Sequence, residues 1–262
     1  MLSKRLKYLI SSIVAALGFF IYIGLPYESR YYSIMVGVVL MIFCFWFGLG
    51  VIFDKSFYVR LMTAVMPTIF FVGFGLFTSI LPLTLIIQLI LGVFFGGICY
   101  LMFLVENVFL VAIGYKTVPL YRAAYTVNLI ILLLTTFFLF DSLYSFKLSY
   151  WLNMLFVFLI SVAVFAYQYF CISIELPDDG KNKNPLIYAF IPAWLLAQMA
   201  LVFSFWPVGI FKGSIYLVSG IYVISGLIQA DIRDRLFRRT YVTHIFIGVA
   251  IILGIFFMTS WR

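Results

Sequence analysis

Charge is what this chain has least of. Only 10% of its 262 residues are Asp, Glu, Lys or Arg, whereas 66% are hydrophobic, and the mean hydropathy is +1.19. A soluble domain is about half apolar and about a quarter charged. A water-soluble fold could not cover so much apolar surface, so the composition predicts a chain whose solvent is lipid.

The residues and motifs of active-site chemistry are equally scarce. The single histidine, His244, cannot build a histidine-based metal site, and the three cysteines include no CxxC pair. Hydrolase and nucleotide-binding motifs are absent. We therefore predict no catalytic, cofactor-binding or metal-binding residues and no cofactor. The net charge is +8, but the basic residues are scattered between apolar runs, so nucleic acid is not an expected partner.

Nine apolar runs fill most of the chain, each near the roughly 20 residues that cross a roughly 30 Å hydrocarbon core. They predict an all-α fold, a polytopic transmembrane helix bundle forming one integral membrane domain over residues 1–262. The basic start before the first run resembles a signal peptide, but the run is too long and its end is a poor cleavage site. The predicted spans are about 8–25, 31–53, 61–80, 83–105, 123–140, 150–173, 186–206, 214–230 and 242–259.

The distribution of basic residues predicts the orientation. With nine spans and a cytoplasmic N-terminus, thirteen of the 17 Lys and Arg residues fall on the inner side and four on the outer side. This bias agrees with the positive-inside rule, so we predict an N-in, C-out protein of the cell membrane. The four outer residues are Arg30, Lys147, Lys212 and Arg262.

The stretch from Glu106 to Arg122 is the most unusual part of the chain, because polar residues gather there around a short apolar run. Glu106, Asn107, Lys116 and Arg122 form a candidate functional polar cluster, since acids near hydrocarbon are costly and often functional. The simpler alternative is an interfacial Glu106 that pairs with Lys116 or Arg122. We expect residues 106–122 to be a cytoplasmic interfacial stretch that extends the fourth helix or lies on the membrane surface, although a re-entrant segment stays open.

Glu106-Asn107, followed by the run Lys116-Thr117-Val118-Pro119-Leu120-Tyr121-Arg122-Ala123-Ala124, resembles a pattern in a domain-of-unknown-function family of small bacterial multi-pass membrane proteins. The resemblance covers some 20 residues and includes no catalytic motif. It implies the fold type and nothing about activity.

Three further patterns concern contacts with lipid and between helices. The loop at 231–239 pairs two acids with a basic cluster, and ion pairing and anionic headgroup contacts explain it better than a metal site. Gly92 and Gly96 have the small-xxx-small spacing that lets another helix approach. The embedded amides have two possible roles, to line a permeation path or to form hydrogen bonds between helices. We favour hydrogen bonds between helices. The headgroup candidates are Arg233, Arg235, Arg238 and Arg239, and the amides are Gln88, Asn128, Asn153, Gln168 and Gln198.

The scarcity of ionisable groups inside the spans favours a non-catalytic scaffold or accessory subunit, whose partner is another membrane protein or a second copy. A transporter or permease for a small solute or lipid is the first alternative. A membrane-embedded enzyme that modifies lipid is the second alternative. The sequence does not decide whether the protein is an enzyme, and it favours a protein that is not. A water-filled cavity would favour transport, and a lateral groove holding Glu106 or Asp231 would favour the enzyme.

The predicted topology can be tested by single-cysteine labelling in a cysteine-free background. Cysteines on the inner side should label only from the cytoplasm, and those on the outer side only from outside. The reverse pattern at any of these sites would contradict the topology. The inner positions are Phe57, Ala112, Gly180 and Leu236, and the outer positions are Ser145 and Ile210.

Overall fold

The computed structural model describes residues 4–51, 56–115, 119–174, 184–206, 209–234 and 237–258. Every regular element in these ranges is an α-helix, and there are nine of them. They are α1 (Lys4–Gly24), α2 (Tyr27–Leu49), α3 (Phe57–Ile80), α4 (Leu85–Gly114), α5 (Tyr121–Ser145), α6 (Tyr150–Ser173), α7 (Pro185–Phe205), α8 (Ile210–Ile232) and α9 (Arg238–Met258).

Eight of these helices, α1 to α8, are long and apolar enough to cross a membrane. The predicted all-α polytopic bundle is thereby confirmed. The apolar part of α9 that the described residues contain, Tyr241–Gly254, is shorter than the roughly 20 residues a crossing takes. The ninth crossing and the orientation therefore stay predictions.

Two helices end at residues other than those predicted, and local hydrogen bonds explain the difference. Gly50 adopts a left-handed conformation (φ 67°) and its N–H bonds back to the carbonyls of Phe47 and Trp46, so α2 ends before the apolar run does. Conversely, α5 continues through Asp141 to Ser145, whose hydroxyl donates to the Asp141 carbonyl. An acid in the sequence thus does not mark the end of this helix.

The chain divides into two compact units, Met1–Leu139 (unit 1) and Phe140–Arg262 (unit 2), so the division falls within α5. In unit 1, α1 packs against α2 and α4, and α2 packs against α3. In unit 2, α6 and α7 share the most extensive contact, and α8 packs against α7 and α9. The prediction of a single domain over 1–262 stays a prediction.

Aromatic side chains fill the core of unit 1. Phe19 of α1 is fully buried and stacks on Phe95 of α4, with ring centroids 4.2 Å apart. Phe70 and Phe74, one turn apart on α3, close the same cluster at 5.2 Å and 5.1 Å from Phe95 and Phe19. Each such ring pair contributes about 0.5–1.5 kcal/mol beyond the area it buries. The helices of this unit are therefore held by directional ring contacts.

Small residues lie on buried helix faces in both units. In unit 1, a Cβ at Gly96 would lie 2.9 Å from the Cβ of Ala16, so the predicted small-xxx-small face meets α1. In unit 2, three alanines spaced by four residues lie on the buried face of α7. They let helix backbones approach closely, which suits the long contact with α6. These alanines are Ala189, Ala193 and Ala197.

We expect Gly96→Ala to destabilise unit 1, because the new methyl group would meet Ala16 on a neighbouring backbone that cannot rotate away. Overpacking of this kind costs about 1–3 kcal/mol. The matched control is Gly97→Ala, where a Cβ would meet nothing within 4 Å. Thermal unfolding of both variants in nanodiscs checks this, and equal melting temperatures would contradict the α1–α4 contact.

Candidate functional site

The four residues of the predicted polar cluster occupy different surroundings. Glu106 lies in α4 and is 1% exposed, on the face that also carries the buried rings of Phe103 and Phe109. Arg122 is exposed in the first turn of α5. Lys116 lies outside the described residues. A pairing of Glu106 with either basic residue stays a prediction.

Asn107 has a defined structural partner. Its Oδ1 accepts a hydrogen bond from the hydroxyl of Tyr8 at 2.8 Å, which joins α4 to α1. The Tyr8 ring also stacks on Phe103, with centroids 5.7 Å apart. The contact is an interhelical bond of the kind that stabilises membrane bundles.

Residues 106–114 continue α4 without a break, so α4 has 30 residues and is about 45 Å long. This length exceeds a roughly 30 Å hydrocarbon core, so one end of α4 reaches beyond it. The interfacial placement of residues 106–122 stays a prediction. Ala112, a proposed labelling position, is buried by helix packing (1% exposed), so the other five positions carry the topology test.

The arginine-rich loop contributes three residues to the described structure. Arg233 is half-buried at the end of α8, and Arg238 and Arg239 are exposed in the first turn of α9. Arg235 lies outside the described residues. The exposed guanidinium groups can reach lipid headgroups, and headgroup contact stays a prediction.

The two acids of this segment have different surroundings. The hydroxyl of Tyr188 on α7 donates to the Oδ2 of Asp231 on α8, whereas Asp234 is exposed with a φ of 51°. Within the described ranges, no three His, Cys, Asp or Glu side chains are grouped as metal ligands. The arrangement of Asp231 is therefore that of a helix-joining carboxylate.

The embedded amides also take separate roles. Gln168 of α6 is buried and its Oε1 accepts from the Ser225 hydroxyl of α8 at 2.7 Å, which joins these helices. Gln198 is exposed and Gln88 is half-buried. Asn153 is buried in the first turn of α6 and lines a cavity.

This cavity is a site that the sequence analysis missed. It lies within unit 2, has a volume of about 420 Å³, and is formed where α5 ends, α6 begins, α7 ends and α8 begins. Polar and aromatic side chains line it together with two glycines of α8's start. The only signal for it in the sequence is Asn153 among the embedded amides, because the other lining residues come from separate helix ends.

The fold and its sites define a polytopic helical protein with helix-joining polar contacts. Residues 54–258 match the model of the family described as "Protein of unknown function (DUF5656)". The chain belongs to this family, and the match extends from just before α3 through α9. The predicted membership of a domain-of-unknown-function family is thereby confirmed. No curated protein and no solved structure matches the chain.

The bond between Tyr8 and Asn107 makes a specific prediction. Tyr8→Phe removes the donor and keeps the ring stacked on Phe103, so unit 1 should lose about 0.5–1.5 kcal/mol of stability. Tyr32→Phe is the matched control, since the Tyr32 side chain is 84% exposed. Chemical unfolding in mixed micelles compares the two, and an unchanged Tyr8→Phe midpoint would show that the bond contributes nothing.

Proposed function

We propose that the protein is a non-catalytic, multi-pass membrane scaffold or accessory subunit. The observation that carries this proposal is the aromatic core of unit 1, in which the fully buried rings of Phe19 and Phe70 both stack on the fully buried ring of Phe95. Interiors packed in this way are stiff and have low compressibility. A stiff helical unit suits a protein that holds partners in position.

The enzyme alternative has weaker support. A lateral groove of about 410 Å³ does lie on unit 1 between α1 and α4, but the described residues that line it are apolar or small and include neither Glu106 nor Asp231. Asp231 accepts a hydrogen bond from Tyr188. A lipid-modifying reaction would need an acid–base or nucleophilic group beside such a groove.

The transporter alternative draws on one observation, the cavity of unit 2 with its buried amide Asn153. Solute sites of membrane transporters lie in polar surroundings between helices. We keep a permease for a small solute as the second candidate.

We place the proposed scaffold in the cell membrane with its N-terminus in the cytoplasm. The exposed Arg238 and Arg239, together with Arg233, would then contact anionic headgroups of the inner leaflet. The partner would be another membrane protein or a second copy of the chain.

The scaffold proposal predicts that assembly does not depend on the buried acid. We expect the full chain, extracted from its native membrane in polymer-bounded nanodiscs, to form a complex of defined stoichiometry. Glu106→Gln should leave that stoichiometry and the expression level unchanged, because no reaction uses the carboxylate. Native mass spectrometry of both proteins measures the complex.

Two other outcomes would lead to different conclusions. A monomeric wild-type chain, together with solute uptake or lipid conversion that Glu106→Gln abolishes at normal expression, would overturn the scaffold proposal. Loss of expression in Glu106→Gln, with Gly97→Ala expressed normally as a control, would instead assign Glu106 to the stability of the core.

A further inference from the structure

We propose that the cavity of unit 2 binds a neutral, hydroxyl-bearing group, held by Tyr144 and Asn153. The proposal does not depend on the scaffold function, because it concerns a different unit and a different observation. The cavity of about 420 Å³ is within the range of small-molecule sites. Its walls come from the ends of four helices, so it lies at one end of the unit.

Two side chains lining the cavity bury a polar atom for which the described protein supplies no hydrogen-bond partner. The Oδ1 of Asn153 is one, and the hydroxyl of Tyr144 is the other. Asn153 is only 6% exposed, and its Nδ2 donates to the carbonyl of Leu148 at 3.4 Å. A buried polar group without a partner is destabilising, because it has given up its hydrogen bonds to water and gained none in return.

Some comparable groups elsewhere in the described residues find their partners within the protein. The hydroxyl of Tyr22 lies 3.3 Å from the carbonyl oxygen of Gly75 and 3.2 Å from Ser79 Oγ, and the Oε1 of Gln168 accepts from Ser225. Other buried polar atoms, among them the Nε2 of Gln168 and the Oγ of Ser161, also lack a partner among the described residues, but neither residue lines the cavity. At the cavity two such atoms belong to residues of the same lining, and a bound molecule would complete them.

The lining determines the class of ligand. No Lys, Arg, Asp or Glu is among the described residues that line the cavity, so a charged ligand would lose its hydration without a counter-charge. The Oδ1 of Asn153 requires a donor, which a carboxylate or phosphate lacks. A hydroxyl group both donates and accepts, so the hydroxyl groups of one ligand have the chemistry to satisfy both Asn153 and Tyr144.

The surrounding residues suit a compact polyol or sugar. The aromatic residues Tyr150 and Phe203 line the cavity together with Ser204, so the lining offers both apolar faces and a hydroxyl group to a ligand. Gly213 adds no side chain, and a Cβ there would lie 3.6 Å from the Tyr144 ring. The hydroxyl-bearing group has two sources, a free sugar or polyol and the headgroup of a neutral glycolipid.

The test uses the full chain in nanodiscs of phosphatidylcholine and phosphatidylglycerol, prepared without sugar detergents. Equilibrium dialysis with labelled glucose and inositol measures the free source. Native mass spectrometry of nanodiscs that contain monoglucosyl diacylglycerol measures the lipid source. We expect one of these probes to bind at millimolar concentration or below, and the one that binds identifies the source.

Tyr144→Phe separates a binding role from a structural one. Because the protein offers the hydroxyl no partner, the variant should keep its melting temperature and weaken binding by about three- to tenfold. Asn153→Leu should weaken binding at least as much. The matched control is Tyr22→Phe in unit 1, which should lower stability and leave binding unchanged.

Three results would overturn the proposal. The first is that neither the free sugars nor the glycolipid binds. A charged probe such as glycerol phosphate or alanine could bind more tightly than the neutral ones. Finally, Tyr144→Phe could bind the neutral probe with wild-type affinity.

Discussion

The stacking of Phe19 on Phe95 is the contact on which unit 1 depends. Hydrocarbon offers no hydrogen-bond partners, so the backbone satisfies itself within helices, and association must come from packing and a few polar bonds. Rings supply that packing with defined geometry. Gly37 and Gly48 of α2 make room for them, because a Cβ there would lie 2.0 Å from Phe71 and 2.6 Å from Phe103. The aromatic core of unit 1 therefore depends on these glycines as well as on the rings.

Polar side chains in unit 1 form hydrogen bonds at the ends of helices as well as between helix faces. The guanidinium of Arg30 donates to the carbonyls of Leu25 and Ile23 at 2.9 Å and 2.7 Å, where the last carbonyls of α1 lack helical partners. A cation at a helix C-terminus also interacts favourably with the helix dipole. Arg30 is one of the four basic residues predicted on the outer side, and this local bond gives it a role independent of topology.

Much of the fold could be predicted from the sequence, because apolar runs of membrane length leave few alternatives to helices. Less of the site could be predicted. Asp141 is read as the end of a helix, yet α5 carries it further, and Ser214 of α8 donates to its Oδ1 at 3.4 Å. From the sequence, Glu106 is assigned either to a functional polar cluster or to an interfacial ion pair, because a sequence shows the polarity of a residue and not its depth. Burial depends on which face of α4 meets its neighbours, and that is a tertiary property.

The cavity of unit 2 escapes sequence analysis for a related reason. Tyr144, Asn153 and Ser204 come from three helices, and each taken alone is ordinary for a membrane helix end. Only the folded structure shows that the hydroxyl of Tyr144 and the Oδ1 of Asn153 have no hydrogen-bond partner among the described residues. A buried polar atom without a partner is destabilising, and two of them belong to side chains that line this one cavity. A bound hydroxyl group, as we propose, would give both atoms the hydrogen-bond partner that the described protein does not supply.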